Sequence, residues 1–438
     1  MALSDRITAI ELELHMADVA RLSSARISRL SPPVALYLQA SIIVAFLAAS
    51  SAPTSLYAVY QARWGLTPIT ITIVFGIYAL AVLAALLTVG SLSDYVGRRP
   101  VLLFAIVIQA AGLVLLSEAI GLPELVIGRI LQGVATGAAV GAVGAGMLDL
   151  DRARGTLANA ITPSTGTATG GLLSGLFVEY LPAPTRLVYL VMLAIVVLQG
   201  VGVAFMAETV ARRSGALASL RPHFDLPPPT RGPLLVVGPV LFAAWALAGF
   251  VGSLGPSLAR SITGSDSLVM GGLAVFIVAG AGAFSVLALY SAPPATVARV
   301  GTVGLMVGVS ITLVATATTS LIGLCVGLVV AGVGFVSGFQ GAIRTVLPLA
   351  PAEHRAGILS VVYLISYVGL SLPAIVAGVV VVRTGSLELT ARGYGIAVIV
   401  LAALAFAGLA RRGHVETAPV NAAGVRAESH AVGCPCMG

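Results

Sequence analysis

The sequence predicts an all-α polytopic membrane protein whose twelve transmembrane helices form two pseudo-symmetric six-helix halves. Three observations carry that prediction. Mean hydropathy is +1.04, with 58% apolar and 9% charged residues, whereas soluble domains carry charge on about a quarter of their residues. Apolar runs of about twenty residues recur from end to end, each long enough to cross a hydrocarbon core of about 30 Å, and they lack the alternation of barrel strands. A single offset of 202 residues also superposes two places in the chain. It pairs Ser51, Ser55 and Leu56 with Ser253, Ser257 and Leu258, and Asp151, Gly155 and Leu157 with Glu353, Gly357 and Leu359. A duplicated pair of six-helix halves implies a central cavity at their interface.

The elements follow in order. Residues 1–33 carry charges and no apolar signal core, so they read as a cytoplasmic N-terminal segment able to form an amphipathic helix. Met16 is an alternative start to Met1. The first half, 34–207, holds spans at 34–59, 68–90, 100–119, 124–148, 157–180 and 186–207. The polar stretch 208–233, rich in arginine and proline, reads as a central cytoplasmic loop. The second half, 234–410, holds spans at 235–258, 268–290, 297–318, 320–347, 357–381 and 393–410. The tail, 411–438, reads as disordered. Its Cys434 and Cys436 have no histidine or cysteine partner at ligand spacing, so neither a metal nor a cofactor is expected.

All 24 basic side chains are arginine. With the N-terminus inside, cytoplasmic segments hold 17 of them and the opposite loops 5, while Arg129 and Arg344 lie within spans. The positive-inside rule then places both termini in the cytoplasm of a multi-pass protein of the cell inner (plasma) membrane. The same placement accounts for the net charge of +7 without a nucleic-acid partner.

The charges between spans two and three are concentrated in "GSLSDYVGRRP", residues 90–100. Gly90 permits close approach of the second span to a neighbour. Asp94 is favoured near the N-terminus of the third, and Pro100 suits a first helical turn. In span four, Arg129 carries Gln132 and Thr136 on its own face, and Gly133, Gly137 and Gly141 form an adjacent smooth stripe. A charged group at that depth is costly, so Arg129 is expected to face the protein interior. Span one carries "SSAPTS", read as a break, and in span five Pro163 is a candidate kink beside Gly166, Gly170 and Gly171.

Gly90, Leu92, Asp94, Gly97, Arg98 and Arg99 together resemble the signature loop of the major facilitator superfamily. The resemblance implies a cytoplasmic latch that holds the two halves together and sets their conformational balance. Arg129, Gln132 and Gly133 match the family's fourth-helix pattern, and the span-five glycines resemble, without the expected proline, a motif of its exporters. The equivalent loop of the second half, "YSAPPATVARVG", lacks both the aspartate and the double arginine. The resemblance also implies a monomer.

No carboxylate falls deep in a span and all five histidines lie outside them. Candidates for proton coupling are therefore Asp94 and Asp149, with the proton as an open partner. Polar and aromatic candidates for a substrate cavity are Tyr57, Tyr78, Trp245, Phe339, Gln340, Tyr363 and Tyr367. A cavity with aromatics, amides and no acids suits a neutral or amphipathic small molecule. Arg129, if it faces that cavity, favours an anion. The expected function is secondary transport of small organic molecules by alternating access, with export favoured over import or facilitated movement of a sugar or organic acid. A polytopic enzyme or receptor is the alternative class. No convergent set of catalytic groups and no ATP-binding loop supports it.

Overall fold

The computed structural model describes residues 30–222, 224–264, 267–351 and 354–417, apart from the side chains of 412–417. The N-terminal segment to residue 29 and the cysteines of the tail lie outside the described residues. Twelve long helices run through the described chain. In the first half they are α1 (Pro32–Trp64), α2 (Pro68–Val89), α3 (Arg98–Ser117), α4 (Leu122–Leu150), α5 (Arg152–Tyr180) and α6 (Pro184–Ala204). In the second half they are α7 (Pro228–Ser253), α8 (Val269–Ala288), α9 (Pro294–Ala317), α10 (Leu321–Val346), α11 (Arg355–Thr384) and α12 (Leu387–Thr417). Several of these open on proline, where the missing amide is no loss: Pro32, Pro68, Pro184 and Pro294 each stand in a first turn.

Eleven of the twelve are long and apolar enough to cross a membrane by composition. The exception is α5, which is studded with Asn159, Thr162, Ser164, Thr165, Thr167 and Thr169. Its hydroxyls turn inward on their own helix: Thr162 donates to the Ala158 carbonyl, Thr165 to Ile161 and Thr167 to Pro163. Satisfied in this way, a polar helix can still lie inside a helical bundle.

Burial divides the molecule into two cores. One is drawn from residues between Ala35 and Met206 and includes Leu370 from the second half. The other is drawn from residues between Leu234 and Ala405.

Two expectations need correcting. The "SSAPTS" stretch does not break α1, which continues through Pro53 to Trp64. The corresponding helix of the second half does break. There α7 ends at Ser253 and a short helix, Gly255–Thr263, carries Pro256 in its first turn. The central polar stretch is also shorter than its sequence suggests, because α7 already begins at Pro228. Pro163 lies within an uninterrupted α5.

Candidate functional site

The loop Gly90–Pro100 folds as a single helical turn, Ser93–Val96, followed directly by α3. Gly97 joins them at φ 105°, a conformation that favours glycine. Gly90 meets α4, where a Cβ on Gly141 would stand 2.7 Å from the Gly90 carbonyl oxygen. Arg98, 6% exposed, is held from three sides. It donates to Ser93 Oγ at 2.7 Å, to Asp149 at 3.1 Å and to Asp94. Two acids that looked separate in the sequence thus share one guanidinium. The first amides of α3 are satisfied by Glu208, from beyond α6. Its two carboxylate oxygens accept from the Arg98 and Arg99 amides at 2.8 and 3.0 Å. Glu208 is the member of this cluster that sequence reasoning missed.

The segment after α6 continues across this face. Thr209 donates to Asp149, Arg213 donates its amide to the Tyr95 carbonyl, and Ser91 donates to the Ser219 carbonyl. Farther on, Asp225 lies 2.6 Å from His354 Nδ1 and packs against Gly357 at the start of α11. The central segment is therefore a strap laid from the loop of one half to His354 and the start of α11 in the other. The ion pairs of the loop itself lie within the first half.

Deeper in the first half, Arg129 is 1% exposed and Gln132 is fully buried. Arg129 Nη1 donates to the Ser50 carbonyl and to Gln132 Oε1, both at 2.8 Å, and its guanidinium lies 4.0 Å from the centre of the Tyr78 ring. Gln132 Nε2 donates to the Ala49 carbonyl at 3.1 Å. Gly133 and Gly137 bring α4 against α2, where a Cβ on Gly133 would stand 2.7 Å from the Tyr78 carbonyl oxygen. Gly166 and Gly170 do the same for α5 against Val44 and Ala48 of α1.

An aromatic group stands where the two halves face each other. Trp245 makes edge contacts with Phe335 and Phe339 at 5.7 and 5.4 Å, and lies 5.1 Å from Tyr367, which is followed by Tyr363 at 6.5 Å. Trp245 packs against both cores. Tyr78, from the first half, lies on α2, whose Gly76 packs on Ser371 of α11, the helix that carries Tyr367. Tyr57 is buried in the first core, in reach of Arg129 and Tyr78. Gln340 is half-buried beside Phe339 on α10. The predicted cavity residues thus form a chain from Arg129 through Tyr78 to Tyr367 and Trp245.

The halves close together at the end of the bundle opposite the Asp94 loop. There Gly171 packs on Val275 and Gly272, Gly76 packs on Ile375 and Ser371, and Gly378 packs on Ile69 and Thr72. Glu179 accepts from the Leu268 amide at 2.8 Å. These are two equivalent seams, α5 on α8 and α2 on α11, as a pseudo-twofold relation between halves requires.

The sequence model of the Major Facilitator Superfamily matches residues 38–374. No curated protein matches the chain. Among solved structures, the nucleoside transporter NupG is 14% identical, with a TM-score of 0.64 over 86% of this chain and 100% of that one. A bacterial homolog of the human lysosomal transporter Spinster, inward-facing and unoccupied, is 14% identical with a TM-score of 0.69 over 86% of this chain and 97% of that one. The same homolog, inward-facing and occupied, is 13% identical with a TM-score of 0.66 over the same shares, 86% and 97%. At these identities the likeness is one of fold.

Proposed function

This chain belongs to the Major Facilitator Superfamily, and we propose that it is a secondary transporter exporting small organic molecules by alternating access. The observation that carries this reading is the one-sided closure of two six-helix halves over a mid-depth aromatic and polar group. Glycine seams join the halves at one end, through Gly171 with Gly272 and Gly76 with Ser371. At the other end lie the Asp94–Arg98–Asp149 network and the strap. With the Asp94 loop on the cytoplasmic face of the inner (plasma) membrane, as the arginine distribution favours, both termini are cytoplasmic and the seams close the outer face. The two Spinster-homolog structures of similar fold are described as inward-facing, which fits that assignment.

In this reading the Gly90–Arg99 loop and Asp149 set the balance between conformations. Gly166, Gly170 and Gly171 let α5 bend or slide between α1 and α8, and their likeness to an exporter motif is what favours export. Tyr78, Trp245, Phe339, Gln340, Tyr363 and Tyr367 contact the solute. Asp94 and Asp149 are the groups available for proton coupling, and the working unit is a monomer. A second reading, a facilitator moving a metabolite down its own gradient, is favoured by one observation: no carboxylate lies at mid-depth among the described residues.

The test is transport by the purified chain in liposomes, with lipophilic drugs, sugars, nucleosides and organic acids supplied in turn. Saturable movement of one class beyond protein-free liposomes is expected. A protein of intact helical content that moves none of them would remove the reading.

A further inference from the structure

The surroundings of Arg129 narrow the class of solute, an inference that rests on the transporter reading above. A guanidinium stays charged at any ordinary pH, and a buried charge is costly unless a counter-charge or dense hydrogen bonding compensates it. The partners of Arg129 are neutral: the Ser50 carbonyl, the Gln132 amide oxygen and the Tyr78 ring. The nearest acid on its own helix, Glu124, forms no ion pair with it, and one Glu124 carboxylate oxygen is itself buried without a hydrogen-bond partner. Arg129 Nε is buried without a hydrogen-bond partner, and so is the hydroxyl of neighbouring Tyr57.

In the second half an unpaired donor again stands among rings. Trp245 Nε1, which can only donate, is buried without an acceptor. Its indole is walled by Phe335, Phe339 and Tyr367. The chain from Arg129 to Trp245 therefore offers unpaired donors, one uncompensated positive charge and several ring faces. Among the described residues it offers no acid that would receive a cation. Ring faces take up planar π-systems in offset or edge contacts, and the donors select a ligand rich in acceptors.

We propose that the solute is a planar aromatic carboxylate, its ring taken up by Trp245, Phe339 and Tyr367 and its carboxylate drawn to the Arg129 and Tyr57 side. Such a ligand supplies the counter-charge that the fold withholds. A cation of the same shape is repelled by Arg129, and a neutral isostere leaves the charge uncompensated.

The chain has two tryptophans, so Trp64→Phe leaves Trp245 as the sole reporter in full-length protein in liposomes. Its emission is titrated with benzoate, benzamide, benzylamine and cyclohexanecarboxylate, which separate charge from aromaticity. Benzoate is expected to saturate the signal at a concentration at least about tenfold below benzamide and cyclohexanecarboxylate, with benzylamine inert. Arg129→Gln should remove the advantage of benzoate over benzamide. Should that variant not assemble, Tyr57→Phe keeps the ring and deletes one unpaired donor, and it should weaken benzoate more than benzamide. Equal responses to benzoate and benzamide, or a preference for benzylamine, overturn the anion. An equal response to cyclohexanecarboxylate overturns the aromatic ring. Liposomes that exchange a sugar or a cationic drug while ignoring benzoate keep the transporter and lose this proposal. Liposomes that move and bind nothing lose both.

Discussion

Gln132 repairs the helix that Pro53 damages. Proline has no amide to offer the carbonyl four residues earlier, which here is that of Ala49, and the Gln132 side chain donates to that carbonyl at 3.1 Å. Arg129 serves the next carbonyl, Ser50, at 2.8 Å. The 202-residue offset places Ala331 and Gly334 where Arg129 and Gln132 stand, and neither has a side chain that can donate. In that half the helix breaks, at Leu254 beside Pro256.

The relation predicts an epistatic pair. Gln132→Leu alone should cost about 1–3 kcal/mol, the penalty of a buried carbonyl left without a donor. In a Pro53→Ala background the new alanine supplies the missing amide, and the same Gln132→Leu should cost less, what remains being the loss of the acceptor for Arg129. Thermal or denaturant unfolding in detergent of the four proteins measures the coupling. Additive losses would show that the two residues act independently.

Glu208 predicts a second set of outcomes. It satisfies the Arg98 and Arg99 amides at the first turn of α3, where a carboxylate also meets the positive end of the helix dipole. Glu208→Ala should cost about 1–2 kcal/mol, the usual loss of a cap, and raise amide hydrogen exchange across 93–99 before it is raised elsewhere. Exchange left unchanged in that loop would remove the capping role.

Within the same cluster, Asp149 should matter more than Asp94. The Asp149 side chain is 33% exposed against 55% for Asp94, and it also accepts from Thr209. Asp149→Asn is expected to lower transport further than Asp94→Asn, both at normal levels of folded protein. The reverse order would mean that Asp94 works through contacts made in another conformation.

What could be read in the sequence follows from the range of the physics involved. Helix number and length were legible because hydropathy and proline placement act locally, and Arg98, Asp94 and Asp149 were legible as isolated charges in an apolar chain. Glu208 was not, since the amides it caps lie 110 and 109 residues away. Any surface acid of a polar loop looks the same. Pro53 misled for the same reason: its local effect is a break, and the donor that cancels it belongs to a helix 83 residues distant. The aromatic candidates were legible as residue types, while their order from Arg129 through Tyr78 to Trp245 required the packing of α2 on α11.

The seam of α5 on α8 gives a further prediction. Gly272 faces the Gly171 carbonyl so closely that any side chain there would collide with backbone. Gly272→Val should separate α5 from α8 and favour opening at that end. Ser55, 2% exposed beneath the seam, then becomes a reporter. As Ser55→Cys in a chain without native cysteines, it should react with a membrane-impermeant maleimide severalfold faster when Gly272→Val is present. No change in rate would mean that the seam is not a gate.

Coupling can be decided with the same liposomes. A proton-coupled carrier needs a titratable group that faces each side in turn, and such groups within membranes mark the ion's path. Most acids near the span ends are committed elsewhere, Asp94 and Asp149 to Arg98, Glu118 to Arg186, and Glu179 to the Leu268 amide, whereas one carboxylate oxygen of Glu124 is buried without a partner. Asp149 is held as a carboxylate by Arg98 and could accept a proton only by giving up that partner, which would open the latch in the same step. Two outcomes are then distinguishable. Flux indifferent to an imposed pH gradient is the expectation if these acids are purely structural, and it makes the chain a facilitator. Flux that follows the gradient and loses that dependence in Asp149→Asn, while exchange of solute for solute continues, would show that the latch itself carries the proton.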